Sequence, residues 1–272
     1  MSVASLVSSV YSGATTARKE VEAALARAKA AEEYNAILNL TEPRALERAD
    51  KIDERIKKGE NVGPLAGVPF VVKDNYLAFG APSTAASKIL ENFDAPLQAT
   101  VVERLESAGA ICIGKSNLDA FAHGGSTENS AFGVTHNAID KSKVAGGSSG
   151  GSAVVTALDI VPFALGSYTG GSIRQPASFN GVFGMKPTYG MSSRYGVIAM
   201  ASSTDVMGCF ARSAEDVALI ESVMAGQDPR DMTTLPDYFE AKEKIAPGQR
   251  IGLIAETMGE GVDKDVRAVV ND

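Results

Sequence analysis

The chain has 272 residues, 44% hydrophobic and 22% charged, an ordinary globular composition with room for one large α/β domain or two small ones. Its 33 acidic and 26 basic residues give a net charge of −7, which argues against this chain alone gripping a polynucleotide, because that grip needs a basic surface to displace counterions. Two cysteines, Cys112 and Cys209, exclude a disulfide framework and zinc-ligand spacing.

The opening stretch, "MSVASLVSSVYSGATTARKE", has no basic region followed by a long apolar run, so no signal peptide is expected. No window holds ~18 uninterrupted apolar residues, so no membrane span is expected and the expected location is cytoplasmic. The first sixty residues read as helical. "TARKEVEAALARAKAA" carries Val21, Leu25 and Ala28 at helical spacing. Pro43 suits a first helical position, and Ala45, Ala49, Ile52 and Ile56 then share a face until Gly59.

After "NVGPL" the character changes. "AGVPFVVKDN" is a short apolar strand ending on a lysine, and a helix over 99–108 leads through Gly109 into the strand "AICIGK". Cys112 in that strand is expected to pack as a small hydrophobe. A loop-like stretch and the segment "KVAGGSSGGSAVV" follow, then the helix "SAVVTAL" and the buried strand "IVPFALGS". This alternation predicts a mixed or parallel sheet with helices outside. Ser213 and Asp216 form a capping-box pattern opening "AEDVALIESVMAG", stopped by Gly226, and "RIGLIAE" reads as a further strand. "DKDVRAVVND" begins an amphipathic helix with Val266, Val269 and Val270 on one side and stops after barely two turns, so the chain is read as cut off inside its fold.

The residues that could do chemistry are few. The two histidines, His123 and His136, have no ligand at metal-site spacing, and no G-x-S-x-G elbow exists for a Ser-His-Asp enzyme. The glycines of 146–152 are followed by no lysine, as a Walker A loop requires, and their order does not match G-x-G-x-x-G. A linker and a bare anion-binding nest stay open as alternatives to a catalytic loop. The second cluster, "YTGGSIRQPASFNG", directly follows a buried strand, where glycines let backbone N–H groups turn inward as an oxyanion hole requires. Ser172 at its end would then stand as a nucleophile needing a base. Lys73 is the candidate: burial at the strand end would lower its pKa from ~10.4 toward 7. The alternative is a lysine snorkelling from a strand end.

At this point the residues carry a family. "GGSSGGSA" at 146–153 and "TGGSIRQPA" at 169–177 resemble the amidase signature family, and Lys73 stands 75 positions before Ser148, with Ser172 24 positions after it, both separations matching that family. "TAASKILENF", "GKSNLDAFAHGGSTENSAFG" and "GMKPTYGMSSRYGVIAMASSTD" look like its branch of A subunits of glutamyl-tRNA(Gln)/aspartyl-tRNA(Asn) amidotransferases.

The resemblance implies an α/β amidase signature fold, a mixed central sheet flanked by helices on both faces, with its C-terminal part missing. Residues 1–60 would be an N-terminal helical segment, and 61–272 the N-terminal portion of one larger core domain. It implies a glutamine amidohydrolase in which Ser172 attacks, Ser148, held through a cis peptide, relays a proton toward neutral Lys73, and Ser149 supports the network. The backbone N–H groups of Thr169, Gly170, Gly171 and Ser172 would form the oxyanion hole. No cofactor or metal is expected in this chain. Glutamine is the substrate implied, the B and C subunits the partners, and tRNA, ATP and magnesium would be held by the partner. A stand-alone amidase for small carboxamides and an inactive fragment or scaffold are the alternatives. The chain departs from the family's pattern at Tyr168, where aspartate usually precedes T-G-G-S. It also departs at Ala120 (an acid), Ala138 (proline), Asn180 (cysteine) and His123 (an apolar residue).

Overall fold

A computed structural model describes residues 2–236, 248, 250 and 252–271. The chain divides into two units, Met1–Asp237 and Tyr238–Asp272. The first is a six-stranded mixed sheet with helices on both faces, as the sequence predicts.

Its helices are α1 (Val3–Tyr11), α2 (Ala17–Ala30), α3 (Glu42–Lys57), α4 (Thr100–Ser107), α5 (Gly150–Ala157), α6 (Arg174–Asn180) and α7 (Ala214–Met224). Its strands are β1 (Ile37–Leu40), β2 (Pro69–Lys73), β3 (Ile111–Ser116), β4 (Phe163–Tyr168), β5 (Phe183–Met185) and β6 (Val206–Ala211), in the order β1-β3-β2-β4-β6-β5. β2 runs parallel to both β3 and β4, while β1, β6 and β5 are antiparallel to their neighbours.

Every residue of β2, β3 and β4 is buried, which is why these strands read as continuous apolar runs rather than alternations. One face of the sheet, with Phe70, Val72, Cys112, Phe163, Leu165 and Met207, packs against α1, α4 and α7. The other, with Val71, Ile111, Ile113 and Ala164, packs against α2, α3 and α5. Phe70 and Phe163, paired in register across β2 and β4, stack with centroids 5.1 Å apart. Burying each such ring contributes roughly 2–3 kcal/mol. Cys112 lies in the first of these faces, and burial pushes its thiol up to about 11, as suits an inert packing residue.

The structure corrects several expectations. Residues 37–40 lie inside the stretch read as helical but form β1, a half-buried edge strand too short to show a period. α1 falls within the stretch read as helical, whereas α6, β5 and β6 carry no sequence signal strong enough to predict them. Ser213 caps α7 through Asp216 N–H, as the capping box requires. Asp216, however, accepts from Val3 N–H at 2.9 Å, so the second arm of the box caps the distant helix α1 instead of its own. Residues 250 and 252–256 form no strand; Ala255–Met258 is a 3-10 turn, and Ile251 lies outside the described residues.

In the second unit, α8 (Lys264–Asn271) begins where the amphipathic pattern predicts, with Val266, Val269 and Val270 exposed. Among the described residues no helix is long and apolar enough to cross a membrane.

Candidate active site at the ends of β2 and β4

Lys73 closes β2 with no exposed surface. Its Nζ lies 2.7 Å from Ser148 Oγ, 2.9 Å from Ser167 Oγ and 3.4 Å from the Ser167 carbonyl. All three partners are neutral. Burial lowers the amine to about 7, and the more distant charges of Asp119 and Asp205 oppose that shift only in part. A neutral amine has two N–H donors and one lone pair. Ser167, which also accepts from Asn75 Nδ2 at 3.1 Å, can take an N–H and leave the lone pair for the Ser148 proton.

The 146–151 loop reaches Lys73 because its backbone comes abnormally close to its surroundings. A Cβ on Gly147 would collide with the Asp119 carboxylate and lie 2.8 Å from Ser126 N; one on Gly151 would lie 2.6 Å from the Asn117 carbonyl. Only glycine fits at either place. The Gly147–Ser148 peptide bond is cis. Asp119 accepts from Thr127 and Asn129 N–H groups, while its own N–H donates to the Ser148 carbonyl at 3.3 Å. The flanking α6 fastens the same loop: Gln175 Oε1 accepts from Gly147 N–H at 2.9 Å, and Asn180 Nδ2 donates to Ala145 O at 2.7 Å.

Ser172 is buried, and the link between its loop and the 146–151 loop runs through the backbone, from Ser149 N–H to Ser172 O at 3.3 Å. Its hydroxyl makes no hydrogen bond among the described residues, so Lys73 and Ser148 are brought into contact while Ser172 is not bonded to either. Ser149 Oγ donates to the Ser167 carbonyl at 3.1 Å, the same oxygen that Lys73 approaches. The N–H groups of Thr169, Gly170, Gly171 and Ser172 have no acceptor among the described residues. Thr169 Oγ1 donates to Asp205 at 2.6 Å. The Tyr168 phenol packs with Ala153, Ile173, Ala177, Val206 and Phe210, and its hydroxyl accepts from Arg174 Nη2.

Two other departures explain each other. Ala138, where the family resemblance leads one to expect proline, has an N–H, and that N–H donates to Asn180 Oδ1 at 2.9 Å. Ala120 lies in a 3-10 turn, and His123 is exposed with Nδ1 2.9 Å from Phe121 O. His136 Nδ1 lies 3.1 Å from Lys141 O, so neither histidine touches Lys73, Ser148 or Ser172. No cluster of three metal-ligating side chains occurs among the described residues.

Sequence reasoning missed Ser167, Asn75, Asp119, Asp205 and Gln175. Each is a single polar residue whose meaning depends on a partner far along the chain. Only Asn75, two residues after Lys73, stood close enough to a recognised residue to be suspected.

Residues 19–272 match the family model for amidases, and the chain belongs to that family. Within the family it is similar to the A subunit of the glutamyl-tRNA(Gln) amidotransferase of Gloeobacter violaceus, at 54% identity over 242 residues, covering 88% of this chain and 50% of that protein. Among solved structures it is similar to the peptide amidase of Stenotrophomonas maltophilia (TM-score 0.83, 35% identity, 88% of this chain and 51% of that one). It is also similar to the A subunit of the glutamyl-tRNA(Gln) amidotransferase of Thermotoga maritima (TM-score 0.71, 40% identity, 81% of this chain and 46% of that one). The chain spans about half the length of the curated relatives it matches.

Proposed function

We propose that this chain carries the catalytic serines and lysine of a glutamine amidohydrolase, the ammonia-producing subunit of a tRNA-dependent amidotransferase. The observation that carries the reading is Lys73, an amine held near neutrality at pH 7 within 2.7 Å of Ser148 Oγ.

Ser172 Oγ attacks the side-chain amide carbon of glutamine, passing its proton to Ser148 as Ser148 passes its own to the Lys73 lone pair. The carbonyl oxygen becomes an oxyanion that accepts from the N–H groups of residues 169–172; losing one such donor costs roughly 3 kcal/mol. Collapse breaks the C–N bond, the proton returns from Lys73 through Ser148 to the departing nitrogen, and ammonia leaves. Water then attacks the glutamyl ester by the same proton path, releasing glutamate and restoring Ser172. Lys73 serves as base and then as acid, the double role for which a pKa near the working pH is suited.

Ammonia would pass to the B subunit, where tRNA-bound glutamate or aspartate is activated with ATP and magnesium. The C subunit would complete the assembly, the whole of it cytoplasmic. The acidic charge of this chain fits a division of labour in which the partner holds the tRNA. The likeness to a peptide amidase favours a second reading, direct hydrolysis of small carboxamides by the same groups.

Ammonia release from glutamine, measured with and without the partner subunits, separates the two readings. Ser172→Ala is expected to reduce release to background in both. Retained turnover in that variant would remove the nucleophile from this scheme, and generic carboxamides turned over faster than glutamine would favour the second reading.

A further inference from the structure

We propose that Tyr168 and Arg174 form a latch that holds the 169–172 loop in its working shape, with Tyr168 a positioning residue for amide cleavage. The inference rests on the reading of Ser172 as nucleophile and on the oxyanion role of that loop.

β4 ends at Tyr168 and α6 begins at Arg174, so the loop and the capping residue Ile173 are the whole of the chain between them. A Cβ built on Gly170 or Gly171 meets nothing within 4 Å, so no packing supports the middle of the loop. Apart from the Gly171 carbonyl, which accepts from Gln175 N–H at 3.0 Å, its shape is set by its ends. At one, Thr169 Oγ1 is tied to Asp205; at the other, the Ser172 carbonyl is tied to Ser149 N–H. The Arg174 guanidinium adds the span between the two ends, donating to the Tyr168 hydroxyl with its carbon 5.2 Å from the ring centroid.

Arg174 has no other side-chain hydrogen bond or ion pair among the described residues, so its charge is committed to this phenol. The ring itself is 8% exposed and fixed among apolar side chains, which makes it a rigid post for the guanidinium. A hydrogen bond with one charged partner is about twice as strong as a neutral pair. Tyrosine at this position thus gives the arginine an acceptor, as a carboxylate would, while the hydroxyl keeps the strand end neutral.

The test uses the protein as encoded, with two readouts: glutamine turnover and the rate at which a fluorophosphonate labels Ser172. Tyr168→Phe keeps the ring and its packing and removes only the hydroxyl. It is expected to lower kcat and the labelling rate about tenfold, with KM within about twofold. The pH midpoint near 7 should not move, because Lys73 is untouched. Arg174→Met is expected to lose as much, and the double variant no more than either single one. Tyr168→Asp, which restores an acceptor, should return to within about threefold of the parent.

Parental rates in Tyr168→Phe and Arg174→Met would overturn the latch. So would Tyr168→Asp running tenfold faster than the parent, which would mean that the phenol disables the loop. Should Tyr168→Phe fail to fold, the exposed Arg174 carries the same test. Turnover surviving in Ser172→Ala overturns the nucleophile reading separately, and a parent that neither labels nor turns over overturns both.

Discussion

Lys73 and Lys115 lie on adjacent strands, both without exposed surface, and the sheet register turns them to opposite faces, with Lys73 opposite Ser116 and Val72 opposite Lys115. Lys115 Nζ stands 3.3 Å from Asp74 Oδ1 and donates to the Tyr76 carbonyl at 3.0 Å and to Ser83 Oγ. Lys73 has only hydroxyls and a carbonyl within reach, and the carboxylates that act on it do so from beyond hydrogen-bond distance. Burial lowers both amines, but beside Lys115 the Asp74 charge pulls back toward the ammonium form. What separates a structural lysine from a potential base is therefore a carboxylate in contact, and depth in the core is common to both.

The comparison can be broken most directly at Lys73. Lys73→Met is expected to lower amide turnover ~10²–10⁴-fold, the usual contribution of a positioned base. In the parent, rates should fall about tenfold per pH unit below 7 as the amine gains its proton. Initial rates across pH 5–9 check both, and a variant keeping a tenth of the parental rate would contradict the assignment. Its stability profile is a second signature. Between pH 7 and 10.5 the unfolded chain keeps the proton that folded Lys73 has lost, so Lys73 contributes a rise of stability with pH in that window, opposed above about 9 by the buried Cys112 thiol. In Lys73→Met the rise should shrink to the part that the lowered Lys115 amine still supplies.

At Lys115 the expected loss is of stability. Lys115→Met leaves Asp74 as a buried charge without its partner, at a cost of about 3–5 kcal/mol, read from urea midpoints. An unchanged midpoint would show that the pair is not held as ions.

The smallest effect falls on a third buried group, Glu221 of α7, which sharpens the contrast from the acidic side. Ser192 Oγ donates to its Oε1 at 2.9 Å, Oε2 has no partner among the described residues, and burial pushes the carboxyl up to about 7. Below pH 4.5 it is protonated in both states. As pH rises toward 7 the unfolded chain ionises first, and stability falls by up to about 3 kcal/mol. Glu221→Gln should abolish that fall while leaving the alkaline rise of Lys73 in place. Thermal midpoints at pH 4.5, 7 and 9 in parent and variant report the difference.

The sequence made the sheet's centre and the serine–lysine spacing readable for physical reasons. β2, β3 and β4 are buried on both faces and so appear as uninterrupted apolar runs, while Gly146, Gly147 and Gly151 are forced by backbone contacts that no other residue permits. β1 and β5, of four and three residues, are too short to display a period. Ser167 could not be read, because a lone small polar residue at a strand end looks alike whether it faces water or a buried amine. Tyr168 was legible as a departure, but its partner became visible only when β4 and α6 were placed side by side.

The bond between Ala138 N–H and Asn180 Oδ1 makes the two positions depend on each other. Asn180 is 3% exposed, and its amide also serves the Ala145 and Pro176 carbonyls. Proline at 138 alone would remove the donor and strand a buried oxygen; cysteine at 180 alone would abandon the Ala138 N–H and two carbonyls. Neither single substitution is neutral while the other residue stands. The two positions, 42 residues apart, are therefore coupled, and the effects of changing them singly should not add.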